Sequence, residues 1–153
     1  MIDQKDLRNA LGCFATGVTI ITTSDQDNKP VGLTINSFTS LSLEPPLIIW
    51  SISKNAPSYE AFKYKKQFIV NVLSSDQGNL VKIFSTPSND KFINVNWDMN
   101  DQGLPYIKEC VANFECIIHS VYPGGDHQVL IGKVIKYQYN DRKPLIMSRG
   151  KPI

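Results

Sequence analysis

The sequence predicts a mainly β fold: a closed antiparallel barrel with a few short helices, formed by one domain over residues 1–153. Three features predict it. About six segments of strand length are rich in β-branched residues or alternate in polarity. Clusters of Gly, Pro, Asn and Asp separate them, and the order of segments does not suit a strand–helix–strand fold. With 42% hydrophobic and 20% charged residues, the chain can bury an ordinary core at the size of one domain. It carries no internal repeat and no low-complexity tract.

The elements follow in order. Asp3 is placed to cap a first helix, with Leu7, Leu11 and Phe14 on one face at helical spacing, and Gly17 ends that pattern. Val18 to Thr23 is β-branched almost throughout and reads as a strand; the polar turn Ser24 to Pro30 returns it as a hairpin through Val31 to Ser37. In that second strand Val31, Leu33 and Ile35 share one face, and Gly32, Thr34 and Asn36 the other. Leu47 to Ser53 is nearly all apolar and reads as a strand buried on both faces. Asn55-Ala56-Pro57 predicts a helix entry with Asn55 as its cap. Tyr59 and Phe62 would dock that helix, and Lys63, Lys65 and Lys66 would suit its C-terminal end. Gln67 to Leu73 is a further strand, a helix near Asp76 to Phe84 follows, and Ser85 to Trp97 reads as loop. The last strands are Val111 to His119 and Gln128 to Tyr139, joined across Pro123-Gly124-Gly125-Asp126, with Gly132 marking a bulge or kink.

Composition narrows the function. A net charge of +2 gives no reason to expect a nucleic acid or an anionic membrane as partner, and the longest apolar run is far too short to span a bilayer. Cys13, Cys110 and Cys116 are odd in number and lack Cys-x-x-Cys spacing, which argues against both a disulfide framework and a zinc knuckle. With Asp3, Lys5, Asp6 and Arg8 interrupting any apolar leader, the expectation is a cytoplasmic protein without a metal. Neither a Rossmann glycine motif nor a P-loop nor a G-x-S-x-G elbow occurs.

Three stretches could carry chemistry. Thr34, Asn36, Ser37, Thr39, Ser40 and Ser42 gather hydroxyls and an amide at a strand end, which suits a ring edge or phosphate that needs donors and acceptors. A Ser/Thr-rich loop satisfying its own backbone would look the same. Ser51, Ser53, Lys54, Asn55 and Ser58 run from a strand end into a helix start, a setting for a phosphate or for a plain helix cap with a solvated lysine. Gly124-Gly125-Asp126-His127 lets backbone approach a planar ligand, with His127 able to stack or hydrogen-bond and Asp126 to orient it; a turn histidine can equally be merely exposed. His119 lies on an alternating strand and reads as structural.

Together these segments resemble the short-chain flavin reductase family, the reductase halves of two-component flavin monooxygenases. The likeness runs from Leu7 to Gly150. Phe14-Ala15-Thr16-Gly17-Val18-Thr19-Ile20 is similar to the family's F-x-T-G-V-x-[IV], and Gly32-Leu33-Thr34-Ile35-Asn36-Ser37-Phe38-Thr39-Ser40 through Pro45-Pro46 to its G-x-T-x-[NS]-S-F-x-S element. Ser51-x-x-Lys54-x-x-x-Ser58, Phe68 to Leu73, and Gly125-Asp126-His127 followed by Gly132-x-Val134 complete the set. Pro144 to Gly150 keeps the proline and glycine of the closing motif, with Met147 where an aromatic is usual.

The resemblance implies an antiparallel, Greek-key-like split β-barrel that binds FMN or FAD between the subunits of a homodimer. It implies that Thr34, Ile35, Asn36, Ser37 and Ser40 line the flavin, that Ser51, Ser53, Lys54 and Ser58 lie near its phosphate, and that Asn71 closes that end. Lys91 and Phe92 would approach the cofactor from a loop. His127 would face the nicotinamide of NADH or NADPH as the hydride passes to flavin N5, an electrostatic and positioning role. A monooxygenase that takes up reduced flavin is the implied partner. A flavin-binding electron carrier that does not oxidise NAD(P)H, and a barrel that binds no flavin, remain the alternatives.

Overall fold

The computed structural model describes residues 1–153. Helix α1 (Gln4–Leu11) starts where the Asp3 carboxylate accepts from the backbone N–H groups of Lys5 and Asp6. Strand β1 (Thr16–Gly17) leads into β2 (Thr19–Ser24), which turns back as β3 (Pro30–Ile35); β4 (Thr39–Leu43) and β5 (Pro46–Ser53) form the next hairpin. Helix α2 (Tyr59–Lys65) precedes β6 (Gln67–Val72), and a 3-10 turn (Ser75–Gln77) leads into α3 (Gly78–Ser85). The short hairpin β7 (Trp97–Met99) and β8 (Pro105–Ile107) comes next, then the long ribbon β9 (Ala112–Gly124) and β10 (His127–Tyr139), and finally β11 (Ile146–Ser148) and β12 (Lys151–Pro152).

Seven strands make one antiparallel sheet in the order β3-β2-β6-β9-β10-β5-β4. Its two edges, β3 and β4, are consecutive in the chain and form no ladder with one another. The sheet nevertheless curls round one core. Ile21, Trp50, Phe68, Val70, Cys116 and Leu130 meet inside it, with Leu33 from one edge strand region and Phe62 from α2 packed against them. Trp50 makes edge-on contacts with Phe62 and Phe68 at 5.2 and 5.4 Å between ring centroids. A second core lies outside the barrel wall, where Leu80 and Phe84 of α3 pack with Ile20, Leu73, Phe92 and Ile107. Strand β2 is sandwiched between the two and is buried along its whole length.

Four sequence expectations need correction. Strand β5 is not buried on both faces: Ile48, Trp50 and Ile52 are buried, while the residues between them are half-exposed, because only one face meets the core. The cap of α2 is Ser58 rather than Asn55, since residues 54–57 are occupied by turns. The expected helix near Asp76 splits into the 3-10 turn and α3. Helix α1 ends at Leu11, so Phe14 lies beyond it rather than on a shared helical face, and Leu7, Leu11 and Phe14 are 43%, 67% and 79% exposed. Gly132 does mark a register shift in the β9–β10 ladder, and the space a side chain there would need is taken by Phe68.

Candidate functional site

Strand β3 presents its two faces as its alternation predicts. Val31, Leu33 and Ile35 pack toward the barrel core, while Gly32 and Thr34 meet α3, with the Thr34 hydroxyl donating to the Val81 carbonyl at 2.8 Å. That bond uses the hydroxyl's proton, so Thr34 can offer a ligand only acceptor lone pairs. Beyond it the chain opens a cavity of about 240 Å³, lined by Thr34, Ile35 and Asn36 from β3 and its exit, and by Val81 of α3. Gly12, Phe14, Thr16 and Val18 form a second side, and Met147, Ser148, Arg149 and Gly150 a third.

The third side is held by backbone. β11 pairs with β1, with Met147 opposite Thr16. The Arg149 N–H donates to the Gly12 carbonyl at 2.6 Å, and the Ser148 hydroxyl to the Cys13 carbonyl at 3.4 Å. Arg149 and Gly150 are both left-handed, with φ of 55° and 78°, which makes the tight turn into β12.

A second cluster begins at the next residue. The Ser51 N–H donates to the Ser37 hydroxyl oxygen at 3.0 Å, so the loop after β3 is tied to β5. Antiparallel partners share a face of a sheet. Ser51 lies opposite Val129, and Ser53 opposite His127, which places Ser51, Ser53 and His127 together on the outer face of the β5–β10 ladder, with Ser37 bonded to the backbone of β5 at Ser51. The Lys54 N–H donates to the Asp126 carbonyl at 3.0 Å, and His127 Nδ1 lies 2.7 Å from Asp126 Oδ1. Asp126 is held below the usual carboxylate range, chiefly by that hydrogen bond and then by the charge of His127. An ionised carboxylate only accepts, so Nδ1 carries the proton and Nε2 is left for a ligand. The groups expected at the phosphate (Ser51, Ser53, Lys54) and at the nicotinamide (His127) therefore stand side by side.

The remaining expected residues lie elsewhere. Ser40 is exposed on the edge strand β4, opposite Ile48 at a register shift. Ser58 begins α2, with no side-chain capping bond. Asn71 is fully buried under β8. Its amide donates to the Ile20 carbonyl and the Thr22 hydroxyl, and its carbonyl accepts from the Ile107 N–H and the Asn113 amide, so it has no atom free for a phosphate. Lys91 turns away from both clusters, its amine donating to the carbonyls of Gly32 and Phe84 at 3.0 and 3.1 Å. Burial lowers the pKa of that amine. Phe92 is a core residue, edge-on to Phe84 and Trp97. The Lys91-Phe92 pair thus fastens α3 to β3, which shapes the cavity from behind. Phe14, Ser148 and Arg149 line the cavity without having been among the residues expected there. Their signal was present in the F-A-T-G opening and the P-L-x-x-x-x-G closing motif, which the fold brings together.

The cavity suits a flat ring with polar edges. Phe14, Val18, Val81 and Met147 give it apolar walls, while Asn36, Ser148 and Arg149 offer an amide, a hydroxyl and a cation. At about 240 Å³ it is smaller than the roughly 300–1,000 Å³ of a site for a drug-sized ligand, so a ring would fit with its chain running out. The Ser37–Ser51 link follows directly in the chain after Asn36, the last β3-side residue of the lining. No group of three His, Cys, Asp or Glu side chains gathers anywhere to hold a metal, and no helix is long and apolar enough to cross a membrane.

Comparison with known proteins shows what the whole chain is similar to. Residues 11–152 match the model of the flavin reductase like domain. The chain is 39% identical over 148 residues to the FMN reductase (NADH) SmoA of Agrobacterium fabrum, covering 97% of this chain and 84% of that protein. It is 39% identical over 151 residues to the flavin-dependent monooxygenase reductase subunit HsaB of Rhodococcus jostii, covering 98% and 77%. Three further relatives are longer, the chain spanning 48%, 65% and 42% of their lengths. Among solved structures, the NADH:FAD oxidoreductase SgcE6 of Streptomyces globisporus, in complex with NAD and FAD fragments, superposes with a TM-score of 0.92. It is 37% identical, covering 100% of this chain and 94% of that one.

Proposed function

Because this chain belongs to the flavin reductase like domain family, we propose that it is an NAD(P)H-dependent flavin reductase that binds FMN or FAD, reduces it, and passes the reduced flavin to a partner monooxygenase. The observation that carries this reading is the cavity that unites Phe14, Asn36 and Arg149 one residue away from the Ser37–Ser51 link. Bound flavin supplies the acceptor, N5, for a hydride given up by nicotinamide C4.

The protein's own part is positional and electrostatic. Phe14, Val81 and Met147 exclude water from the ring faces, and Asn36 and Ser148 fix the ring edge. Ser37, Ser51, Ser53 and Lys54 hold the phosphate-bearing chain, and His127, oriented by Asp126, fixes the nicotinamide nucleotide through Nε2. No side chain has to act as a nucleophile. The exposed apolar residues Leu7, Leu11 and Phe14, the last of which lines the cavity, support a homodimer with the site at the subunit boundary. SmoA and SgcE6 support NADH as donor, HsaB supports a monooxygenase as acceptor, and the three free cysteines suit a reducing cytoplasm.

The test is an anaerobic absorbance spectrum of the protein loaded with FMN or FAD, before and after NADH. Rapid bleaching of bound flavin is expected. Flavin that stays oxidised with both NADH and NADPH would make the protein an electron carrier instead, and a protein that retains no flavin would refute the reading.

A further inference from the structure

Resting on the flavin-reductase reading, we infer that Arg149 holds the charge that flavin gains on reduction, by setting its guanidinium against the polar edge of the ring. Of the twelve residues that line the cavity, Arg149 alone is charged. It forms no ion pair and no side-chain hydrogen bond within the chain, so nothing on the protein neutralises it. Its backbone is also unusual. A φ of 55° is uncommon for a residue with a side chain, and glycine would take this turn more easily. The chain keeps an arginine in a costly conformation, with its N–H tied to Gly12 and a glycine following. That fixes the base of the side chain at the cavity's rim, opposite Thr34 and Asn36.

The chemistry gives that cation a task. A hydride carries one proton and two electrons, so its transfer from nicotinamide C4 to flavin N5 leaves the nicotinamide cationic and the flavin with one added negative charge. That charge is spread over N1 and the C2 carbonyl oxygen of the pyrimidine part of the ring, neighbouring acceptors that can take two parallel hydrogen bonds. Guanidinium offers such a fork and cannot lose its proton at any working pH. Asn36 and Ser148, the other polar groups nearby, are neutral and so discriminate between the two redox forms less strongly than a full positive charge. Arg149 is exposed in the free chain; a ring seated in the cavity would cover part of it, and a cation so shielded from water discriminates between a neutral and an anionic ring more strongly than one in bulk solvent.

The experiment measures the midpoint potential of bound FMN, and separately of bound riboflavin, in wild type and in Arg149→Gln, Arg149→Gly and Arg149→Lys. Arg149→Gln is expected to bind oxidised FMN about as well as wild type and reduced FMN about tenfold more weakly, a fall in potential of about 30 mV for a two-electron couple. Arg149→Gly relaxes the turn while removing the charge, so the same fall there rules out distortion of the backbone as its cause. Arg149→Lys should recover part of the fall, and riboflavin should show it in full. Unchanged potentials in a protein that still binds flavin would overturn the inference and leave the function standing. Weaker binding of FMN but not riboflavin would overturn it in favour of a phosphate contact. A wild-type chain that binds neither flavin would overturn both.

Discussion

His127 Nδ1 and Asp126 Oδ1, at 2.7 Å, join the β9–β10 turn to the end of β5 through the Asp126 carbonyl, which accepts from Lys54. The pair leads to a titration that can be observed directly. Asp126 is held below the ordinary carboxylate range by the His127 hydrogen bond, so His127→Ala should return its carboxyl toward the ordinary value in a carboxyl carbon NMR titration. The sign follows from linkage. A depressed carboxylate contributes stability above its unfolded pKa and loses it as pH falls through the folded one, so any stability difference should shrink under acid conditions. In turnover, His127→Ala should raise the KM for NADH by about tenfold, the worth of one hydrogen bond of ~1.4 kcal/mol. An unchanged KM and turnover would remove His127 from the site.

Asn71 serves the fold. It joins β2, β6, β8 and β9 through four polar contacts on the outer side of the barrel wall. Asn71→Ala leaves the Ile107 N–H without its acceptor and the Asn113 amide with only the longer bond to the Ile107 carbonyl, and should lower stability by about 3 kcal/mol in urea unfolding. Flavin affinity of the folded fraction should hold within about twofold, since a pure stability effect leaves the site intact. A stable variant that binds flavin poorly would instead restore Asn71 to the cofactor.

What the sequence made legible follows from the reach of each signal. Alternation along Val31 to Ile35 separated the core face from the α3 face correctly, because strand periodicity is local. The same logic misjudged Leu47 to Ser53, where an apolar side chain and a half-exposed position look alike in one dimension. Asn71 and Lys91, expected at the cofactor, have their polar atoms bonded within the chain, and sequence could not show it for a related reason. A polar side chain in a cofactor-like motif carries no mark of whether its partners are protein backbone or ligand. Phe14 and Arg149 stand 135 residues apart in sequence order, and only the pairing of β1 with β11 brings their loops to one cavity.

Gly32 is needed for a close approach. A Cβ built there would lie 2.8 and 2.9 Å from two ring carbons of Phe84 and 3.3 Å from Phe92. Its carbonyl accepts from Lys91, so the strand cannot retreat without loosening that bond. Gly32→Ala should therefore cost about 1–3 kcal/mol of stability, as overpacking does. Because the displaced wall is the one that carries Thr34, flavin affinity should fall as well. A variant as stable as wild type would show that α3 can shift freely against β3.

The three thiols should differ sharply in reactivity and in what they contribute to stability. Cys13 is exposed, while Cys110 and Cys116 are buried, and burial pushes each of these two up to about 12 from an ordinary 9.0. The thiolate is the reactive form, so a thiol reagent at pH 8 should label one cysteine of the native chain quickly and the other two only on unfolding. The sign of the stability effect is opposite to that of a depressed carboxylate. Both buried thiols stay protonated in the fold while the unfolded chain ionises near 9, so their full contribution is present below that pH. It is lost as pH rises from about 9 toward about 12. The slope can reach ~1.4 kcal/mol per pH unit for each thiol. Cys116→Ala removes one of the two groups, so although less stable at neutral pH, it should lose stability more gently than wild type in urea unfolding between pH 8 and 10. Equal slopes would mean that Cys116 ionises in the fold as readily as out of it.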